Sequence, residues 1–314
     1  MNPVAIRTDD LTRDFGTVRA VDHLTLSVPT GEIFGFLGPN GSGKTTTIRL
    51  LLGLLEPNQG RAEVLGFDTR SEAGEIRARC GALLEHNGLY ERLSAQDNLE
   101  FYARVWCMTP AEREARIREL LSHIGLWDRR DELVGNWSHG MKQKLAVARA
   151  LLHRPGLIFL DEPTAGLDPV AAAALREDLA ALVEREGLTV FLTTHNLAEA
   201  EKLCHQVGVI NQGKLLAVGP LDQLRVGAGA PRLEITGRGF TPEVLARLRA
   251  APEVSNVDLR DGHLLINLHG STESAPLVRL LVDLGADVEE VRKDQASLED
   301  IFLTLVKEET EVKA

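Results

Sequence analysis

One short segment constrains the fold of this 314-residue chain more than any other. The run Gly38-Pro39-Asn40-Gly41-Ser42-Gly43-Lys44-Thr45 follows the pattern Gly-x4-Gly-Lys-Thr, which is typical of a P-loop, whose backbone N–H groups bind phosphate. It lies between the apolar run Ile33–Leu37 and a helix-like run over residues 44–55. A buried strand, a glycine loop and a helix in that order predict the start of an α/β domain.

The polar residues of this loop have predicted contacts with a nucleoside triphosphate and its metal ion. We expect Lys44 to reach the β- and γ-phosphates, the Thr45 hydroxyl to bind Mg²⁺, and Thr46 to donate to the α- or β-phosphate. The positive N-terminal end of the following helix adds to the attraction for phosphate. A glycine turn that merely precedes a helix is the structural alternative.

Two further predicted strands end in candidate catalytic side chains. The apolar run 157–160 leads into Asp161 and Glu162, and the run 188–192 is followed shortly by His195. Because open α/β sheets bind ligands at the carboxyl ends of their strands, we expect these residues beside the glycine loop. Asp161 is predicted to hold Mg²⁺ through water. Glu162 is predicted to orient or deprotonate the attacking water, and His195 to contact the γ-phosphate.

Composition argues against several classes of protein. The chain has 35 basic and 46 acidic residues, a net charge of −11, so we expect no nucleic-acid partner held by overall charge. The three cysteines are far apart, which argues against a disulfide scaffold or a cysteine-rich zinc site and favours a reducing cytoplasm. No apolar stretch approaches the ~18 residues of a membrane span, and we expect neither a span nor a secretory signal.

The chain is expected to divide near residue 225. Residues 226–231 read Val-Gly-Ala-Gly-Ala-Pro, which predicts a linker. The patterns that follow indicate a strand, a helix, two strands, a helix and a strand, the order of a ferredoxin-like α+β domain. We therefore predict a nucleotide-binding α/β domain with a largely parallel core sheet over 1–224, and an accessory domain for dimerisation or regulation over 225–314.

Three more segments resemble motifs of the ATP-binding cassette (ABC) ATPases. Residues 136–144, Asn-Trp-Ser-His-Gly-Met-Lys-Gln-Lys, resemble the ABC signature; residues 165–168 resemble the D-loop; and Phe15-Gly16 resembles the A-loop that stacks on adenine. The resemblance covers about residues 3–224. It implies a P-loop ABC ATPase fold, in which a parallel core sheet is joined by an antiparallel β-subdomain and a helical subdomain that carries the signature. Other residues fit the family's spacing after the P-loop: Gly53, Pro57, Gly60 and Gly66.

The resemblance also implies a head-to-tail homodimer that encloses two ATP molecules. Each site would join the P-loop of one chain to the signature of the other. Ser138 and Gly140, at the start of a predicted helix, are then expected to contact nucleotide, since a helix start favours anions. Asp168 and Phe15 are further candidate nucleotide contacts. A plain N-capped helix is the alternative for Ser138.

Two positions depart from the family pattern. His139 stands where the signature usually has glycine, and its side chain either crowds the phosphate or points away. Glu85 takes the place of the Q-loop glutamine, and its carboxylate can bind Mg²⁺ but adds negative charge near the γ-phosphate. At both positions the sequence resembles the ATPase subunits of ABC-2-type exporters. Residues 297–302 likewise resemble the closing motif of drug-resistance-type exporter ATPases.

The resemblance implies a motor subunit of an ABC transporter that exports its substrate. It would bind ATP and Mg²⁺ and hydrolyse ATP with Glu162, His195 and Lys44 as catalytic residues. A separate transmembrane permease would be driven from the cytoplasmic face of the cell membrane. One alternative is a soluble ABC ATPase that acts on translation or DNA, and another is a nucleotide-binding regulator without hydrolysis. The sequence does not name the transported substrate.

Overall fold

A computed structural model describes residues 3–228, 232–260, 263–268, 274–294 and 297–312 of the chain. The chain divides into two compact units, Met1–Val218 and Gly219–Ala314. The elements up to the boundary, which falls within the last strand of the series, follow in this order: β1 (Val4–Phe15), β2 (Val18–Pro29), β3 (Ile33–Leu37), α1 (Lys44–Leu51), β4 (Gln59–Val64), β5 (Phe67–Asp68), α2 (Ala73–Arg79), β6 (Cys80–Leu83), α3 (Ala95–Val105), α4 (Pro110–His123), α5 (His139–Ala150), β7 (Leu157–Asp161), α6 (Pro169–Glu186), β8 (Thr189–Thr194), α7 (Leu197–Leu203), β9 (Gln206–Asn211) and β10 (Lys214–Pro220).

The core of the first unit is a six-stranded sheet in the order β10-β9-β3-β8-β7-β6. The pairs β6–β7, β7–β8, β3–β8 and β3–β9 are all parallel. Strands β3, β7 and β8 are buried at every position, as expected for parallel strands covered on both faces. Aromatic rings fill the centre, where Phe191 lies 5.5 Å from both Phe34 and Phe36 and 5.6 Å from Phe159 between ring centroids. The predicted parallel core sheet is confirmed.

A second, antiparallel sheet has the order β2-β1-β4-β5. Its strand β2 buries Leu24, Leu26 and Val28, whereas Thr25 and Ser27 between them are exposed. This period-two alternation is the pattern that predicts a half-buried strand. The antiparallel β-subdomain of the ABC fold is therefore present.

Helix α1 ends earlier than the sequence predicts. The helix-like run extends to residue 55, but α1 ends at Leu51. Gly53 has a φ of +62°, and a Cβ there would lie 2.7 Å from the Thr69 carbonyl oxygen. The helix therefore ends where the chain makes a left-handed turn against a neighbouring loop, a contact that local periodicity does not contain.

Helices α3, α4 and α5 form the helical subdomain. Each begins at a residue whose side chain caps it: Ser94, Thr109 and Ser138 accept hydrogen bonds from backbone N–H groups of the first turn, as is typical of N-caps. The buried guanidinium of Arg116 in α4 donates to the Leu151 carbonyl oxygen at 2.8 Å. This bond ties α4 to the carboxyl end of the helix that carries the signature.

The second unit contains a four-stranded antiparallel sheet in the order β12-β13-β11-β14. Its core includes Leu233, Ile235, Leu264 and Leu281. The predicted strand–helix–strand–strand–helix–strand order is confirmed and is followed by a last helix. The elements are α8 (Leu221–Ala228), β11 (Arg232–Arg238), α9 (Pro242–Arg249), β12 (Val254–Arg260), β13 (His263–Leu268), α10 (Ala275–Asp283), β14 (Asp287–Asp294) and α11 (Leu298–Val312).

The two units meet in sequence at residues 218 and 219, earlier than the predicted boundary. Residues 226–228 of the predicted linker lie in α8, and residues 229–231 lie outside the described residues. Helix α8 contacts α11 within the second unit. In the part of the chain that the structure describes, every helix is too short or too polar to cross a bilayer.

Candidate active site

The P-loop connects β3 to α1, and glycine is required at two of its positions. A Cβ at Gly38 would lie 2.2 Å from the Ile210 carbonyl oxygen. Gly43 has a φ of +107°, and a Cβ there would lie 2.3 Å from the Ala20 carbonyl oxygen. Because L-residues rarely adopt such a backbone and have no space here, the loop can only be built with these glycines.

The amino-terminal end of α1 is open to an anion. Its N-cap is Gly43, which has no side chain to cap the helix, and its first turn contains no acidic residue. The first N–H groups of a helix have no partner within the helix. The buried hydroxyl of Ser42 also has no hydrogen-bond partner among the described residues. These unpaired donors fit a bound phosphate chain.

Lys44 is buried in this loop, with only 6% of its side chain exposed. Its ammonium group donates to the carbonyl oxygens of Gly38 at 2.8 Å and Pro39 at 3.1 Å. It also lies 3.3 Å from Oε1 of Glu162. The side chain therefore holds a positive charge directly between the loop and the end of β7.

Asp161 at the end of β7 joins α1 to β8. The Thr45 hydroxyl donates to its Oδ2 at 2.7 Å, and the Thr193 hydroxyl donates to its Oδ1 at 2.5 Å. Thr193 is directly opposite Asp161 in the parallel register of β7 and β8. The resulting set of carboxylate and hydroxyl oxygens has the chemistry that Mg²⁺ prefers.

Glu162 follows Asp161 with a φ of +52°, a backbone region that is uncommon for residues other than glycine. Its N–H donates to the backbone and side-chain oxygens of Thr193, each at 3.1 Å. Its Oε2 lies 2.5 Å from Nδ1 of His195. Because a carboxylate can only accept, the proton of this hydrogen bond belongs to His195. The Glu162 carboxylate thus lies between Lys44 and His195.

A cavity of about 790 Å³ opens over these residues. Most of the predicted site lines it: Asn40, Gly41, Gly43, Lys44, Thr45, Thr46, Glu85, Asp161, Glu162 and His195. The structure therefore gathers residues that are up to 155 positions apart around one cavity at the carboxyl ends of adjacent parallel strands.

Four predicted nucleotide contacts outside the P-loop do not line this cavity. Phe15 is exposed, and the guanidinium of Arg13 lies 4.7 Å from the centre of its ring. Ser138 caps α5 by accepting from the N–H of Met141 at 3.3 Å. Asp168 caps α6 by accepting from the backbone N–H groups of residues 170 and 171 at 3.0 and 2.9 Å. Gly140 faces Ala171, whose Cβ would lie 3.0 Å from an added Cβ.

Comparison with known proteins identifies the family. The sequence profile described as "ABC transporter" matches residues 21–165, and the profile described as "ATP-binding protein DrrA1-3-like, C-terminal domain" matches residues 219–306. The bacitracin transport ATP-binding protein BcrA of Bacillus licheniformis is 38% identical over 96% of this chain and 97% of its own length. The chain belongs to the ATP-binding subunits of ABC transporters. As such a subunit it binds and hydrolyses ATP to power transport.

Further relatives agree with this assignment. The daunorubicin resistance ATP-binding protein DrrA3 of Streptomyces coeruleorubidus is 34% identical over 100% of this chain and 99% of its own length. A solved structure described as the ATP binding subunit of an ABC transporter is 32% identical, with a TM-score of 0.64 over 71% of this chain and 92% of that one. The resemblance to drug-resistance-type ABC-2 subunits is therefore confirmed along both units.

Glu85 and His139, the two residues that depart from the family pattern, each contact another part of the chain. Nη2 of Arg49 lies 3.5 Å from Oε2 of Glu85, which is 71% exposed. The Nε2 atom of His139 lies 3.2 Å from the Ala165 carbonyl oxygen, so the imidazole rests on the D-loop of its own chain. The negative charge at position 85 thus has a positive neighbour, which sequence reasoning missed. The available signal was that Arg49 lies one helical turn after Thr45.

Sequence reasoning missed two other residues of the site. Gln143 in α5 is buried and donates to the Pro163 carbonyl oxygen at 2.8 Å. Thr193 is fully buried and holds both Asp161 and Glu162. Neither role follows from one sequence, because the first depends on helix packing and the second on strand register.

Proposed function

We propose that the cavity is the ATPase site of an exporter, with Glu162 as the residue that acts on the attacking water. The observation that supports this proposal is the position of the Glu162 carboxylate, 3.3 Å from the Lys44 ammonium and 2.5 Å from the His195 imidazole. The neighbouring Asp161 is held by two hydroxyls. A base, two cationic or proton-bearing groups and a metal-binding carboxylate are the parts that phosphoryl transfer to water requires.

The Thr45 hydroxyl and the Asp161 carboxylate would hold Mg²⁺, which neutralises charge on the phosphate oxygens when bound. Lys44 offsets further negative charge of the transferred phosphoryl group. Thr193 keeps the Asp161 carboxylate in place through a charge-assisted hydrogen bond.

Glu162 orients a water molecule toward the γ-phosphorus and accepts its proton as attack proceeds. The new bond joins the water oxygen to phosphorus, the bond between the bridging oxygen and phosphorus breaks, and the products are ADP and inorganic phosphate. His195 donates through Nδ1 to Glu162, which fixes the carboxylate and leaves the imidazole next to the predicted γ-phosphate position. Hydrolysis therefore requires both strand ends.

The active form is proposed to be a homodimer. Ser138, Gly140 and Asp168 do not line the cavity of their own chain, so we propose that they contact nucleotide bound to a second copy. The amino-terminal turn of α5 carries no acidic residue, and its dipole favours an anion. Closure of the dimer on ATP would bury these groups, and hydrolysis would release them.

The proposed permease contact is an apolar patch made of Tyr90, Phe101, Val105 and Trp106. All four are exposed, at 46, 43, 62 and 37%, and the rings of Tyr90 and Phe101 lie 5.0 Å apart. Exposed apolar clusters mark interaction sites on proteins. The patch begins five residues after Glu85, so a partner bound there would sense the cavity. Such a subunit would work at the cytoplasmic face of the membrane.

The names of the relatives support an exporter of toxic compounds. They include a bacitracin transport protein and a daunorubicin resistance protein. The experiment is affinity purification of the tagged chain from detergent-solubilised cells of its own host. We expect a polytopic membrane protein to co-purify with the wild type and the Val282→Glu control, but not with Val105→Glu. Both valines are exposed, at 62% for Val105 and 55% for Val282. Recovery of ribosomes or DNA in place of a membrane protein would contradict the proposal.

A further inference from the structure

The turn that follows Glu162 is tethered by side chains from two sides. From α5, Gln143 donates to the Pro163 carbonyl oxygen at 2.8 Å and His139 lies 3.2 Å from the Ala165 carbonyl oxygen. From the opposite side, the hydroxyl of Thr164 donates to Oε2 of Glu199. Glu199 belongs to α7, the helix that begins directly after the His195 loop.

The carboxylate of Glu199 has a partner at each oxygen. Oε2 accepts from Thr164, and Oε1 lies 3.5 Å from Nη1 of Arg176 in α6. Both charged side chains are mostly buried, with 21% of Glu199 and 18% of Arg176 exposed. The backbone N–H of Glu199 donates to the capping side chain of Asn196 at 3.3 Å. Helix α7, and with it Glu199, is thereby anchored one residue after His195.

The contact between Thr164 and Glu199 matters because the backbone of Glu162 adopts an uncommon conformation. Its φ of +52° is a sparsely populated conformation, which persists only where the surroundings hold it. The Ala165 N–H donates to the Glu162 carbonyl oxygen at 3.1 Å, which closes the turn around Thr164. Release of Thr164 would allow the turn to relax, and the Glu162 carboxylate would move relative to Lys44 and His195.

Little free space lies beside the contact between Thr164 and Glu199. The cavity bounded by Thr164, Arg176 and Glu199 has a volume of about 10 Å³, at the lower limit for one water molecule. Glu199 does not line the 790 Å³ cavity over the P-loop. Glu199 is therefore not placed to contact the nucleotide, and its side chain reaches the turn after Glu162 through Thr164.

We propose that Glu199 is a positioning residue that holds Glu162 in its reactive place by anchoring Thr164 to the helix after His195. The inference rests on the proposed function, since it presupposes that Glu162 acts on the attacking water. It links the two strand ends that carry the reaction: the turn after β7 and the helix after β8 are locked together by one carboxylate. Arg176 contacts the other oxygen of that carboxylate and orients it.

The test is steady-state ATP hydrolysis by the full chain with its membrane partner, together with binding of a fluorescent ATP analogue. Glu199→Ala and Thr164→Val should each lower kcat by about 10- to 100-fold, the loss typical of a displaced catalytic group. The KM for ATP and the analogue affinity should stay within about twofold, because no nucleotide contact is removed. Thr164→Ser keeps the hydroxyl and should restore kcat, and the double variant should be no slower than the slower single variant, because both changes break one tether.

Several outcomes would overturn the proposal. Wild-type kcat in Glu199→Ala and Thr164→Val, measured beside an inactive Glu162→Gln, would show that the tether does not position the base. Equal losses of kcat in Thr164→Ser and Thr164→Val would show a structural effect of any change there. Since Thr164→Val alters one hydroxyl only, it carries the test if Glu199→Ala fails to fold. Wild-type turnover by Glu162→Gln would instead overturn the role of Glu162, and this proposal with it.

Discussion

Replacing Thr193 tests the geometry of the candidate active site through the loss of a single hydroxyl. Its hydroxyl donates to Oδ1 of Asp161 at 2.5 Å and accepts from the N–H of Glu162 at 3.1 Å. Substitution by valine keeps the branched shape and removes only the hydroxyl. The Glu162 N–H keeps a partner, because it also donates to the Thr193 carbonyl oxygen at 3.1 Å. The loss therefore falls on the carboxylate of Asp161.

The size of the effect follows from that hydrogen bond. A buried hydrogen bond to a charged group contributes about 1.5–3 kcal/mol. If the bond holds Asp161 equally in the free protein and in the transition state, stability falls by that amount and turnover is unchanged. If it is needed to present Asp161 to Mg²⁺, the same energy lowers kcat/KM by roughly 10- to 150-fold. We expect the second result in Thr193→Val, with a higher Mg²⁺ concentration at half-maximal activity.

Thr189→Val is the matched control. Thr189 lies four residues earlier on the same face of β8, is equally buried, and accepts from the N–H of Gly31 at 2.9 Å. Its loss should lower thermal stability by about 0.5–1.5 kcal/mol, as for a neutral hydrogen bond, and leave ATP hydrolysis unchanged. The assay is phosphate release at a series of Mg²⁺ concentrations, with thermal unfolding of the same samples. Wild-type kcat/KM and Mg²⁺ dependence in Thr193→Val would refute the reasoning.

Two other predictions concern the cysteines and the Q-loop position. Burial raises the pKa of the Cys80 and Cys204 thiols to about 12. Iodoacetamide at pH 8 should therefore alkylate the exposed Cys107 and modify the other two cysteines only in denaturant. Detection of alkylated Cys80 by mass spectrometry of the folded, labelled protein would contradict this prediction. Arg49→Met should weaken binding of MgATP because it leaves the Glu85 carboxylate without its positive neighbour. Adding Glu85→Gln to this variant should recover much of the affinity. If a fluorescence titration with MgATP shows no recovery, the proposed pairing of Arg49 with Glu85 is excluded.

Local patterns predicted the elements that carry the site. The strand before the P-loop, the strand that ends at Asp161 and the strand before His195 are centred on runs of apolar residues, and all three are buried parallel strands. Their carboxyl ends meet because neighbouring strands of such a sheet run the same way. The short predicted strands and helices after residue 231 likewise predicted the element order of the second unit. These features depend on residues that are close in sequence.

The features that could not be predicted from the sequence alone depend on tertiary contacts. The end of α1 depends on the loop that meets Gly53. The role of Thr193 depends on its register opposite Asp161, and that of Glu199 on the packing of α7 beside the turn at Thr164. The start of the second unit precedes the glycine-rich segment because α8 contacts α11, which lies some seventy residues further on. The assignment of Phe15, Ser138, Gly140 and Asp168 as nucleotide contacts stays a prediction.

The most direct test of the account is ATP turnover by Glu162→Gln. The amide keeps the size of the side chain and can still pair with His195, but it cannot accept a proton from water. We expect wild-type affinity for ATP, loss of at least about two orders of magnitude in turnover, the contribution typical of a general base, and a stable ATP-bound dimer on size exclusion. Turnover at the wild-type rate would contradict the central claim that Glu162 acts on the attacking water.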